Sequence, residues 1–116
     1  MEKQIIEFKA NGQQLEMVTP FKTYAANTIR YIEAHFIFNG DAWSGYDNVF
    51  SVWYTDDEHI KSAEIINGAA TVPAEILAKP GTLQMNLCAN LERDGVLVAR
   101  MTSYPVKVMK LKKSEV

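Results

Sequence analysis

The segment Val72-Pro73-Ala74-Glu75-Ile76-Leu77-Ala78-Lys79-Pro80-Gly81 constrains the fold of this chain more than any other. Its two prolines and closing glycine leave room for one helical turn, with Pro73 at the first helical position, where no N–H is needed. A helix that short builds no domain core. In the residues that follow, Leu83, Met85, Leu87, Ala89 and Leu91 alternate with Gln84, Asn86, Cys88 and Asn90. That two-residue period belongs to a half-buried strand. The segment therefore reads as a corner clipped between strands.

The same alternation recurs along the chain, and helical periodicity does not. Ile5 to Phe8 and Leu15 to Val18 flank Asn11-Gly12, a turn dipeptide that predicts a hairpin. Arg30 to Phe38 is the clearest strand, with Ile32, Ala34, Phe36 and Phe38 on the core side. Tyr31, Glu33, His35 and Ile37 then point outward, because residues two apart share a face. Residues 39–47 read as a loop, and two further strands follow at 48–55 and 60–66. Asn67-Gly68 predicts a tight turn into a hairpin partner over Ala70 to Val72, and Asp94-Gly95 a second such turn. Val96 to Met101 and Val106 to Leu111 complete the set. About eight short strands at regular spacing imply an all-β fold, a two-sheet antiparallel sandwich with one helical turn near Ala74–Ala78.

A chain of 116 residues fits one such domain, expected to span 1–116 with a short tail from about residue 111. It is long enough to bury a core without disulfides, which a lone cysteine, Cys88, could not form within the chain. The net charge of −2 argues against a nucleic-acid binder, since neutralising phosphates takes a basic face. Lys107, Lys110, Lys112 and Lys113 are the nearest thing to a basic patch and read as a solvated edge strand and tail. The N-terminus alternates polar and apolar residues, unlike a signal peptide, and no segment approaches the roughly 20 apolar residues of a membrane span. Synthesis in a cytoplasm without membrane insertion is the expectation.

Candidate chemistry is sparse. Only His35 and His59 could supply an imidazole, and Ala42-Trp43-Ser44-Gly45 lacks the first glycine of a nucleophile elbow. Cys88 lies within a strand, without a helix N-terminus to lower its pKa. Asp56-Asp57-Glu58-His59 is the densest polar cluster, but it lacks the spacing and the glycine of a cation loop. Asp41, Asp47 and Asn48 match that pattern no better. Glu75 suits the first turn of a helix, where negative charge is favoured, and no second carboxylate accompanies it. No catalytic, cofactor or metal residue is assigned, and a non-enzyme is expected.

The aromatics are more telling. Trp43, Tyr46, Trp53, Tyr54, Tyr24 and Tyr31 are plentiful for a small β-domain. Trp43 and Phe50 read as core anchors, while Trp53 could equally be a surface platform for a glycan. An outward stripe of Tyr31, His35 and Ile37 would be sticky for a monomer and points to a subunit contact. Tyr31, His35, Ile37 and Trp53 are therefore the candidate interaction residues.

One set of motifs carries a family resemblance. An aromatic strand precedes Trp43-x-Gly45-Tyr46, which leads to Val49-Phe50. Then come Val72-Pro73-x-Glu75-x-Leu77-x-x-Pro80-Gly81 and a late Thr102 before Val106-x-Val108. This order, over roughly residues 15–109, resembles the immunoglobulin-like domain at the start of baseplate and minor tail proteins of phages and prophages of Gram-positive bacteria. The resemblance implies a non-enzymatic building block of a virion tail or baseplate, a homo-oligomer whose partners are other tail or baseplate proteins. Larger relatives continue into a fibrous or coiled region, so this chain is expected either to stand alone or to head a longer protein. A carbohydrate-binding module for a cell-surface glycan is the alternative.

Overall fold

The computed structural model describes residues 4–26, 31–56 and 59–113. Two sheets face each other across a shared core. The first has the order β2-β1-β4-β7, formed by β1 (Gln4–Asn11), β2 (Gln14–Met17), β4 (Ile32–Asn39) and β7 (Ala69–Thr71). The second has the order β3-β10-β8-β5-β6, formed by β3 (Lys22–Ala25), β5 (Asn48–Tyr54), β6 (Ile60–Glu64), β8 (Gly81–Arg93) and β10 (Val106–Lys112). A further strand, β9 (Val96–Thr102), pairs with β8 beside the far end of β10. Among the described residues the sandwich is all-β apart from α1 (Ala74–Leu77), the helical turn at the corner. Pro73 sits at the N-cap of α1, one residue earlier than expected.

Alternation produces the core. Ile6, Phe8 and Ala10 of β1 and Ile32, Ala34 and Phe36 of β4 are buried from one side. Trp53, Leu83, Met85, Leu87, Ala89 and Leu111 meet them from the other. Phe8 stacks on Phe36 at 5.2 Å within its sheet and meets Trp53 edge-on at 6.1 Å across the gap. Such ring pairs add about 0.5–1.5 kcal/mol beyond their burial.

The pairing is more mixed than the hairpin count implies. Among the described residues, six of eight strand pairs are antiparallel, but β1–β4 and β3–β10 run parallel. The chain repeatedly crosses between layers, so β4 returns to the first sheet alongside β1 and in the same direction. Turn dipeptides fix only adjacent strands and say nothing of such crossovers. The predicted hairpin at Asn67-Gly68 is corrected for the same reason. Its two residues do take the left-handed conformation, φ 53° and 77°, but the turn carries a single bridge, Ile66 to Ala69. Beyond it the chain leaves β6 in the second sheet and enters β7 in the first.

Three further expectations are corrected. β10 is an inner strand between β3 and β8, so its lysines decorate a face and not an edge. Leu111, placed at the start of a tail, is buried in that strand. A shift in register between Lys107 and Met109 lets Val108 and Met109 both be buried, which switches the alternation mid-strand. Phe50, expected in the core, is half-buried on the outer face of β5, where Ser51 and Trp53 take the inward positions.

The Pro80-Gly81 element has a backbone reason. Gly81 has φ +140°, and a Cβ there would stand 3.4 Å from the Thr55 side chain. Glycine lets the chain leave the helical corner and press β8 against the end of β5.

Candidate assembly surface

The outer face of β1 and β4 is built by the residues that the core alternation leaves outside. Their parallel register sets Ile5 beside Glu33, Glu7 beside His35, and Lys9 beside Ile37. β7 adds Thr71 next to Glu33 and Ala69 next to His35. His35 Nε2 lies 2.6 Å from Glu33 Oε1. Ile37 is 49% exposed and Ile5 45%, with Tyr31 exposed where the chain enters β4. Glu7, Glu33, His35, Ile37 and the Asn67-Gly68 turn border an open hollow of about 480 Å³. A ligand pocket of that size is normally enclosed and mostly apolar. This one is open and rimmed by charge, which suits a broad macromolecular contact.

Glu33, His35 and Ile37 thus share one face at successive two-residue steps, with Tyr31 exposed one residue before β4 begins. Trp53 does not join them. It is 0% exposed on the opposite sheet, its indole Nε1 donating 2.8 Å to Ser51 Oγ. The correction follows from strand phase: residues 49–54 are apolar at both phases apart from Ser51, so the pattern could not say which ring faced inward. Trp43 is buried as expected, its Nε1 donating 2.8 Å to the Gly12 carbonyl. This bond ties the loop after β4 to the β1–β2 turn. Neither tryptophan presents a ring for stacking on a sugar.

The polar clusters are engaged locally. Asp56 accepts from the His59 backbone N–H at 2.8 Å, and its carboxylate also lies 2.8 Å from His59 Nδ1. Asp57 and Glu58 fall outside the described residues. Asp47 receives Arg93 Nη1 at 3.3 Å, and Asn48 bonds Glu64. Cys88 is a half-buried free thiol within β8. Glu75 is exposed in the first turn of α1. Among the described residues no three His, Cys, Asp or Glu side chains lie together as metal ligands would, and no helix is long and apolar enough to cross a membrane.

One exposed apolar feature was missed in the sequence reading. β5 pairs with β8 only as far as Asn90, so residues 91–99 extend beyond it as a two-stranded arm. At 13 residues, β8 spans about 43 Å, and the molecule measures 51 × 27 × 25 Å. Val96, Leu97 and Val98 on this arm are 62%, 46% and 56% exposed. The signal was present: three consecutive apolar residues in a strand cannot all face one core.

No protein-family model matches the chain, and comparison with curated proteins gives no match. Among solved structures, the chain is similar to the N-terminal domain of phage TP901-1 ORF48, with a TM-score of 0.52 and 11% sequence identity. The superposition covers 97% of this chain and 100% of that domain. At this identity the likeness is one of fold.

Proposed function

We propose that this protein is a structural component of a phage or prophage tail or baseplate, acting through protein–protein assembly and not catalysis. The observation that carries the reading is the end-to-end fold likeness to a phage protein domain, with no appreciable length left over on either side. The motifs Trp43-x-Gly45-Tyr46 and Val72-Pro73 to Pro80-Gly81 favour the same kind of domain. Tyr31, His35 and Ile37, with Ile5 beside them, are the contact face for a neighbouring tail protein. Burying that apolar and charged mixture against a complementary surface provides both affinity and register. The virion tail is the place of action. The burial of Trp43 and Trp53 takes the stacking platforms away from the glycan-binding alternative.

The test is composition of particles. Mass spectrometry of purified virions from a strain carrying the gene should find the chain in the tail fraction at a fixed ratio to the other tail proteins. Ile37→Asp should lower its incorporation at least tenfold while leaving the circular dichroism spectrum of the isolated protein unchanged. Particles without the chain would refute the reading, as would undiminished incorporation of a folded Ile37→Asp protein.

A further inference from the structure

We propose that copies of this chain stack head to tail, the outer face of β1 and β4 in one copy seated on the lysine-bearing outer face of β10 in the next. This deepens the assembly reading, on which it rests for the first of the two faces, and names the neighbour as a second copy. The two faces lie on opposite sides of the sandwich and carry opposite charge. On the first, Glu7 and Glu33 border the open hollow, with His35 held by Glu33. Glu16 of β2 extends the acidic side and stands beside Lys9, the cation of that face. On the second, Lys107, Lys110 and Lys112 are all exposed along β10. Their neighbours in β8 are Gln84 and Thr82, and in β3 Thr23 and Ala25, so no carboxylate stands beside them in register. The carboxylates of this face, Glu64 and Glu92, lie toward its other end, the first beside Phe50 and the second beyond Asn90.

Charge complementarity selects the occupant, and the spacing of the charges agrees with it. Glu7 and Glu33 are diagonal neighbours across β1 and β4, about 7–8 Å apart. Lys110 and Lys112, two residues apart on one face of β10, are about 6.5–7 Å apart. Two ammonium groups can therefore meet two carboxylates without a change in either sheet. Lysine also suits the mixed character of the first face. Its four-carbon stem can lie along the exposed Ile5 and Ile37 while the head reaches the acids. Because each copy bears its two faces on opposite sides, the contact is heterologous. It cannot close on itself as a dimer does, and each added copy leaves one face of each kind open for the next.

Sedimentation velocity on the full chain, from about 5 µM to about 1 mM, should show a mass that rises past two chains. The association should weaken about tenfold or more between about 0.05 and 0.5 M salt, over which the screening length falls about threefold. The double variants Glu7→Gln/Glu33→Gln and Lys110→Gln/Lys112→Gln should each weaken it about tenfold or more with the circular dichroism spectrum retained. Lys61→Gln/Lys79→Gln, which removes the same charge away from both faces, should change it less than about twofold. The decisive sample is an equimolar mixture of the first two variants. Each still has one intact face, so the mixture should form a complex of one chain of each kind and grow no further. A wild-type monomer at about 1 mM, an association indifferent to salt or to either double variant, or a mixture that stays monomeric would overturn the proposal. Absence of the chain from virions would instead refute the tail reading and leave these solution results standing. A chain found in virions but monomeric in solution would sink only the head-to-tail stacking.

Discussion

Deleting the Ser51 hydroxyl removes the single atom that lets a tryptophan occupy the centre of the second sheet. Ser51 and Trp53 are both 0% exposed. Ser51 Oγ accepts from Trp53 Nε1 at 2.8 Å and donates to the Ala63 carbonyl at 2.9 Å, handing the polarity of the indole on to the backbone of β6. Ser51→Ala leaves the indole N–H without an acceptor in a place water does not reach. An orphaned buried donor costs about 1–3 kcal/mol, and the volume lost is too small to change that figure. A destabilisation of about 2 kcal/mol is expected, or roughly 8 °C in Tm for a chain of this size. Urea unfolding followed by far-ultraviolet circular dichroism should show the lower midpoint with an unchanged m value. Trp53→Phe supplies the control, since it removes the N–H and keeps a ring. In that background Ser51→Ala should cost at least 1 kcal/mol less than it does alone, a coupling of the size contacting polar pairs show. A Ser51→Ala protein within about 0.5 kcal/mol of wild type, or an equal loss in both backgrounds, would refute the reasoning.

Three further outcomes are expected. Thr55 Oγ1 is buried without a hydrogen-bond partner, so Thr55→Val should be neutral or stabilise by up to about 1 kcal/mol in the same urea assay. Gly81→Ala should destabilise by about 1–3 kcal/mol, because alanine resists φ +140° and its Cβ would press on Thr55 at 3.4 Å; an unchanged midpoint would show that the corner relaxes freely. Burial raises the Tyr54 phenol above its ordinary value of 10.0, so the folded state keeps this proton longer than the unfolded state does. Its contribution is then complete below about pH 10 and is lost as pH rises through the higher folded value. Stability measured across that window should fall less steeply in Tyr54→Phe.

Local rules made much of this fold legible. β4 alternates so clearly that its inner and outer residues could be named from the chain alone, and they are where the alternation puts them. Asp94-Gly95 builds the tight hairpin expected of it, with φ 54° and 77°, and the proline-bounded segment gives its one helical turn. Legibility ends where two physical solutions share one pattern. β5 is apolar on both phases, so only a serine seeking an indole decides that Trp53 faces in and Phe50 out. Val108-Met109 and Val96-Leu97-Val98 both violate alternation, and each coincides with a bulge. In the first case the extra residue is swallowed by the core; in the second it stands in solvent on the arm. The crossovers that make β1–β4 and β3–β10 parallel carry no local signature.

The outer face of β1 and β4 can be disturbed without touching the core. Ile37 is 49% exposed, so Ile37→Asp gives up little burial in the isolated chain and should stay within about 0.5 kcal/mol of wild type in urea unfolding. The parallel register that sets Lys9 beside Ile37 also gives the new carboxylate an ammonium next to it. Loss of incorporation into particles by such a folded protein therefore reports the contact and not the fold. An Ile37→Asp chain destabilised by more than about 1 kcal/mol would mean instead that this face helps to hold the sandwich together, and the argument that it is left outside by the core alternation would fail.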